Sequence, residues 1–411
     1  MRRKAAAALV TVSALSLLLS GLSGCAGVKE KENPPIAAVP ADPAPATPPD
    51  APDPDPAKTN PPAPTEPAKP ADPAKPADTP KPPEATKPAA RRQMPSPVRG
   101  ILLTGWWAGS PDLYIPTLEW AKSAGINTVV LDLKAEDGKL SWVSDIPLAK
   151  EIGANERKIA DFPKLIQDLH DRGFWVAGRV VVMNDQFLYR ARPDWGIPGF
   201  PGGPYSFMDP KNENVWTYNI EIAKEAIKHG VDEIQFDYIR YPDKLVEGYN
   251  KNTGPEYRTS HVNNFLKRAY EELKPLGVVV GADLFGLTTS VAIGDDMEIG
   301  QDYAKVAAIV DYIGAMAYPS HYARGTYGLD NPNANPYETI LNSLGKAIER
   351  TPGVPLEKHR PWIQDFNMDG IRYGQAELAA QIRALKELGI NQYMIWDPSC
   401  KFTRGLDYSK L

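Results

Sequence analysis

Acidic residues recur at the ends of short apolar runs in this chain: Asp132, Asp185, Asp237, Asp283, Asp365 and Asp397. Crowded carboxyls repel and shift one another's pKa, so an acid and a base can coexist at neutral pH. Glycoside hydrolysis needs such a pair, one carboxyl to protonate the leaving oxygen and one to attack or to activate water. Other polar groups end the same runs: Lys134 near Asp132, Asn184 near Asp185, Arg240 near Asp237, and Tyr318, Ser320 and His321 together. The run around Asp237 is the most informative. Gln235 and Asp237 alternate onto one face, and two polar groups aimed into a core are costly unless used. Arg240 is placed to pair with an acid or to hold a ligand. His321 reads as a donor to a sugar hydroxyl or as a satisfied loop histidine. Trp106, Trp107, Tyr318 and Trp396 could stack on sugar faces or cap a barrel.

Several chemistries lack their residues. There is no His-Glu-x-x-His, no CxxC and no cluster among the five histidines, so neither a metal nor another cofactor is expected. No Gly-x-Ser-x-Gly elbow or phosphate loop is present, which argues against serine hydrolases, NTPases and dinucleotide enzymes. The net charge of -5 carries no basic stripe, so nucleic acid is not an expected partner.

The elements that must position these residues lie in 98–411. Apolar, β-branched runs at 100–104, 127–133, 175–182, 233–238, 278–284, 312–317, 361–366 and 392–396 alternate with amphipathic stretches. Those stretches fall at 113–124, 162–172, 214–229, 260–274, 302–310, 337–350 and 375–388. Gly125, Gly173, Gly230, Gly277 and Gly389 sit where helices should close. Eight strands with intervening helices predict a (β/α)8 TIM barrel, with a doubly wound sheet as the alternative. In such a barrel, polar residues at strand ends share the C-terminal mouth.

Thr104-Gly105-Trp106, Val130-Leu131-Asp132-Leu133-Lys134, Phe236-Asp237-Tyr238-Ile239-Arg240-Tyr241-Pro242 and Tyr318-Pro319-Ser320-His321-Tyr322 together resemble the glycoside hydrolase domains of bacterial lipoproteins. These are similar to α-amylase and α-galactosidase type barrels. The resemblance spans about 99–397. It implies Asp237 as nucleophile or base and Asp283 as acid, with Asp283 also readable as a cap or hydrogen-bond partner and Asp365 as the substitute candidate, either as acid or as a binder of sugar hydroxyls. Trp106, Asp132, Lys134, Gln235, Arg240, Tyr318, His321, Trp396 and Asp397 would then bind a glycan. The amylase pattern has an arginine two residues before the nucleophile, and here Gln235 stands there. Neighbouring strands for Asp237 and Asp283 point to the short carboxyl separation of a retaining enzyme. A noncatalytic carbohydrate- or wall-binding barrel is the competing reading. Convergent acids would favour catalysis, and acids all tied to Arg240, Lys134 and Arg179 would favour binding or structure.

The first 24 residues pass from Met1-Arg2-Arg3-Lys4 to an apolar run, the order of a secretory signal. Leu22-Ser23-Gly24-Cys25 resembles the bacterial lipobox, which implies a diacylated Cys25 and stable anchoring by two chains. With Cys25 lipidated, Cys400 has no intramolecular partner. Residues 25–97 form the expected tether. The stretch 33–97 holds 23 of the 42 prolines and no aromatic residue, so it cannot bury enough apolar area to fold. Extended as polyproline II, the tether reaches on the order of 200 Å. The expectation is an extracytoplasmic, membrane-anchored monomer with a glycan substrate.

Overall fold

The computed structural model describes residues 92–198, 200, 206–243 and 253–411. Cys25, the signal segment and nearly all of the tether lie outside the described residues. Eight parallel strands close into a barrel in sequence order. They are β1 (Arg99–Leu103), β2 (Thr128–Lys134), β3 (Trp175–Val181), β4 (Glu233–Asp237), β5 (Val279–Phe285), β6 (Tyr312–Met316), β7 (Trp362–Gln364) and β8 (Tyr393–Trp396). β8 returns to β1 through Gly100↔Met394 and Ile101↔Ile395, which closes the ring and excludes the open doubly wound sheet.

The helices are α1 (Gly105–Gly109), α2 (Pro111–Ser123), α3 (Pro147–Glu151), α4 (Phe162–Asp171), α5 (Gln186–Ala191), α6 (Glu213–Lys228), α7 (Pro255–Leu273), α8 (Tyr303–Ala307), α9 (Pro336–Arg350) and α10 (Gln375–Glu387). α4 shows why they form. Phe162, Leu165, Ile166 and Leu169 recur on one face and are buried, while the Asp161 side chain accepts from Lys164 N at the start. Burial of each such side chain contributes about 1.5–3 kcal/mol. The five glycines expected at helix ends all have positive φ, between 77° and 106°.

Three differences from the expected elements have local causes. α7 starts five residues earlier than expected, because Pro255 fits the first helical position. α8 is cut to five residues, closing at Ala308 and passing through a turn before β6 begins at Tyr312. The loops after the strands carry the short α1, α3 and α5, which the periodicity did not reveal.

The core has two parts. A large layer lies between barrel and helices, built from alternate strand residues such as Val129, Leu131, Ile234, Phe236, Val280 and Ala282. The lumen holds Leu102, Val130, Ala177, Tyr312, Trp362 and Met394. Near the start of the strands, a buried pair between Glu233 and Arg360 plugs the barrel (Nη1 to Oε1 2.8 Å), with Arg360 stacked 3.7 Å from the Tyr312 ring centroid. One layer up, Gln235 Nε2 meets Met394 Sδ at 3.5 Å. Above that layer lies the mouth.

Candidate active site

At the mouth the lumen opens into a small pocket lined by Arg179, Asp237, Asp283, Met316, Tyr318, Trp362 and Trp396. β3 and β4 pair with Arg179 opposite Gln235, so the arginine leans over the end of β4. Its Nε and Nη2 donate to Asp237 Oδ2 at 2.9 and 2.7 Å. Its Nη1 donates to Asp132 Oδ1 at 3.0 Å, and Nη2 also reaches Glu136 Oε1 at 2.6 Å. The Trp396 ring covers the guanidinium at 5.6 Å. Burial works against the charge of Arg179, but Glu136, Asp237 and Asp132 outweigh it and hold the guanidinium protonated.

Asp237 is fixed a second time. Its Oδ1 accepts from the backbone N of Tyr238 at 2.6 Å. Tyr238 has φ of 50°, left-handed backbone that a non-glycine residue adopts at a cost of order 1–3 kcal/mol. Strain of this kind beside a buried carboxylate is characteristic of a constrained site.

Asp283 lies on β5, next to β4, and is 1% exposed. Its Oδ1 accepts from Trp362 Nε1 at 2.9 Å. Burial first, and then the charge of Asp237, push its pKa well above the carboxylate range, while Trp362 and Arg179 pull the other way. Gly314, its register partner on β6, makes room for it: a Cβ there would stand 2.1 Å from Asp283 Oδ1. Asp132 is likewise raised by burial to about 6, against the pull of Arg179. One carboxylate clamped by a guanidinium thus shares the pocket with a neighbour whose pKa burial raises.

The family described as "putative glycosyl hydrolase domain" matches residues 100–402. The chain belongs to this family. No curated protein matches it. Among solved structures it is similar to the glycoside hydrolase domain of PgaB (BpsB) from Bordetella bronchiseptica, at 15% identity, covering 74% of this chain and 95% of that one with a TM-score of 0.57. It is also similar to a class V chitinase from Pseudomonas fluorescens Pf-5, at 12% identity over 76% of this chain and 98% of that one, with a TM-score of 0.50. At these identities the likeness is one of fold. A hypothetical protein from Ruminiclostridium thermocellum ATCC 27405 is 36% identical over 44% of this chain and 96% of its own, with a TM-score of 0.40.

The remaining residues singled out in the sequence of this glycosyl hydrolase domain separate by location. Tyr318 and Trp396 line the pocket. Asp132 joins it through Arg179. Gln235 lies one layer below, against Met394. His321 packs edge-on to Tyr318 at 5.2 Å, and its Nδ1 is 3.0 Å from Ser320 Oγ. Arg240 sits among Phe207, Tyr238 and Phe285 and pairs with Asp243. Trp106 is 51% exposed on α1, with Lys158 Nζ 6.0 Å from its ring, whereas Trp107 is tied to Thr117.

Three residues are held away from the pocket. Asp365 takes hydrogen bonds from Thr403 N and Oγ1 at 2.7 and 2.6 Å and so anchors the C-terminal segment. Asp397 accepts from Ser399 N and Oγ at 2.7 Å, forming a turn. Lys134 is displaced by a bulge. The β2–β3 register shifts between Asp132 and Lys134, which turns Lys134 outward under α6. It is fully buried there, with no path to a substrate.

Glu136, Trp362 and Met316 are site residues that sequence reasoning missed, and Arg179 was named only as a possible tie for the acids, which it is for Asp132 and Asp237. An arginine inside the apolar run Trp175-Val176-Ala177-Gly178-Arg179-Val180 was the available signal, since a buried charge must be paired. Among the described residues, no group of three or more His, Cys, Asp or Glu is arranged to hold a metal ion.

Proposed function

We propose that the domain hydrolyses a glycosidic bond in a polysaccharide or cell-wall glycan, with Asp283 as general acid and Asp237 as nucleophile or base. The observation that carries this reading is the shared pocket: Asp237, ion-paired to Arg179, and Asp283, whose pKa burial raises, line the same opening. In this mechanism Asp283 gives its proton to the leaving oxygen as the bond to the anomeric carbon breaks. Asp237 stabilises the positive charge developing on the sugar and attacks that carbon, or takes a proton from the attacking water. Arg179 orients Asp237, and Tyr318 and Trp396 offer flanks for the sugar ring. A neighbouring sheet strand for each carboxyl supports a compact arrangement across one glycosidic bond.

The ties of Asp132 and Asp237 to Arg179 favour a second reading, a barrel that binds glycan without cleaving it. The deciding assay incubates the chain with a panel of α- and β-linked glycans and purified cell wall, beside Asp237→Asn and Asp283→Asn. Product from the native chain, lost in both folded variants, supports hydrolysis. Glycan binding without product, unchanged in Asp237→Asn, supports the binding module and removes the catalytic roles.

The same proposal places the domain outside the cell, held to the membrane through a lipidated Cys25. Membrane fractionation of the chain and of Cys25→Ser tests that part: release of the variant into the soluble fraction supports it, and equal partition of both sinks it.

A further inference from the structure

One buried charged cluster is left unused by the pocket. Lys134 ends β2, Asp185 caps α5, and Asn219 lies midway along α6, and all three are 0% exposed. Lys134 Nζ stands 2.7 Å from Asp185 Oδ2 and 2.9 Å from Asn219 Oδ1. The Tyr218 ring lies 5.3 Å from the same nitrogen. Gly138 seals the cluster from the other side, where a Cβ would come within 2.0 Å of Asp185 Oδ1. Asn219 Nδ2 donates to Val215 O at 2.9 Å, which turns the amide oxygen toward the lysine.

Charges sequestered this way favour the neutral forms of both partners. Burial lowers the pKa of Lys134 and raises that of Asp185, each against the attraction of the other. Passing a proton from Lys134 to Asp185 leaves an amine lone pair beside the Asn219 amide. The carbonyl carbon lies one C=O bond, about 1.23 Å, behind the oxygen that Nζ already contacts.

We infer that Lys134 and Asn219 become joined by an intramolecular isopeptide bond, with Asp185 moving the protons. The Nζ lone pair forms a bond to Asn219 Cγ, and the carbonyl pair moves onto Oδ1, giving a tetrahedral oxyanion. The carbonyl then re-forms as the Cγ–Nδ2 bond breaks. Nδ2 takes the proton shed by Nζ and leaves as ammonia, and Asp185 keeps the proton that Lys134 first gave it. An amine and a primary amide become a secondary amide and ammonia, with no oxidant or co-reactant. The bond ties the end of β2, which presents Asp132 and Glu136 to Arg179, to the helix that leads into β4 and Asp237. It would supply a covalent brace to a domain whose one described cysteine, Cys400, is free.

The test is a tryptic map of the denatured full chain by mass spectrometry. The expected product is a branched peptide joining residues 123–139 to residues 212–224, uncut after Lys134 and lighter by one ammonia than its two parts. Asp185→Asn retains both reacting residues and should yield the two segments unjoined. Cleavage after Lys134 together with a linear 212–224 peptide in the native chain overturns the inference, whether or not any variant folds. A fully joined Asp185→Asn chain overturns the role given to Asp185.

Discussion

β4 carries two inward carboxylates, Glu233 near its start and Asp237 at its end, and each is bound to an arginine. At the lower position, Glu233 takes Arg360 Nη1 on both oxygens and Trp175 Nε1 on one. One cation meets one anion, with Tyr312 stacked over the guanidinium. At the upper position, Arg179 meets three carboxylates, Asp132, Glu136 and Asp237, and Asp283 stands beside them. The lower pair is balanced and closed. The upper cluster sets four acids against one guanidinium, and burial first, then the charge of Asp237, raises the pKa of Asp283 well above the carboxylate range. The same strand and the same residue chemistry therefore give a structural plug at one end and, at the other, the acid-rich pocket to which the proposed proton transfer is assigned. What separates them is the ratio of acids to arginine and the presence of an opening.

The largest effects should divide along that line. Asp237→Asn is expected to lower turnover on the order of 10³-fold or more. It should leave the melting temperature near that of the native chain, because Arg179 keeps Asp132 and Glu136 as partners. Glu233→Gln should do the reverse. It strands a buried guanidinium, at a cost of about 3–5 kcal/mol in stability, while the folded fraction retains its turnover. Denaturant unfolding and steady-state kinetics on both variants measure the contrast. Normal stability in Glu233→Gln with lost turnover would erase the distinction between the two ends.

Two changes act on Asp283 alone. In Gly314→Ala the new methyl would stand 2.1 Å from Asp283 Oδ1, so the carboxyl must move. A displacement of that kind can cost about 10²-fold in kcat, with KM expected to change little. Trp362→Phe is gentler. The indole N–H stabilises the ionised carboxylate, so its loss should raise the Asp283 pKa further. The alkaline limb of kcat/KM, which reports deprotonation of the acid, should then move to higher pH. A limb that stays in place, or moves down, would assign the acid to another residue.

The barrel was legible in the sequence because its signals are local. Each βα unit carries its own apolar run and amphipathic stretch, and five of them a closing glycine, as in Phe162–Asp171 followed by Gly173 and β3. The site was legible one residue at a time. Asp237 and Asp283 stand out as acids in apolar runs, and the structure brings them to one pocket. Arg179 stood out only as one possible tie for the acids, because comparison with amylases looked two residues back along the same strand and found Gln235. Sheet pairing supplies the arginine sideways, from the register partner of Gln235 on β3. Lys134 shows the opposite failure. Alternation from Asp132 would turn it into the lumen, and a bulge that no local pattern announces sends it under α6 instead. Asp365 ended a strand as expected, yet its partner Thr403 lies 38 positions on, beyond the reach of any spacing argument.

Asp365 supplies the smallest test, and one that separates a buried acid from a working one. Burial pushes its pKa up to about 7, against two hydrogen bonds from Thr403, and Asp397 adds to the rise. An unfolded aspartate titrates near pH ~3.9. Between these values the native chain holds a proton that the unfolded chain has released, so stability falls as pH rises through that window. Asp132, raised to about 6, and Asp283 contribute slopes of the same sign. Asp365→Asn should therefore flatten only part of the decline, by on the order of 5 °C in the difference between melting midpoints at about pH 4 and about pH 8. Comparing the two pH values cancels the fixed cost of giving Thr403 a poorer acceptor. Turnover at a single pH should stay near native, since Asp365 is occupied with the C-terminal segment rather than the pocket. A loss of turnover matching that of Asp237→Asn would instead place Asp365 in the catalytic machinery and return Asp283 to a structural role.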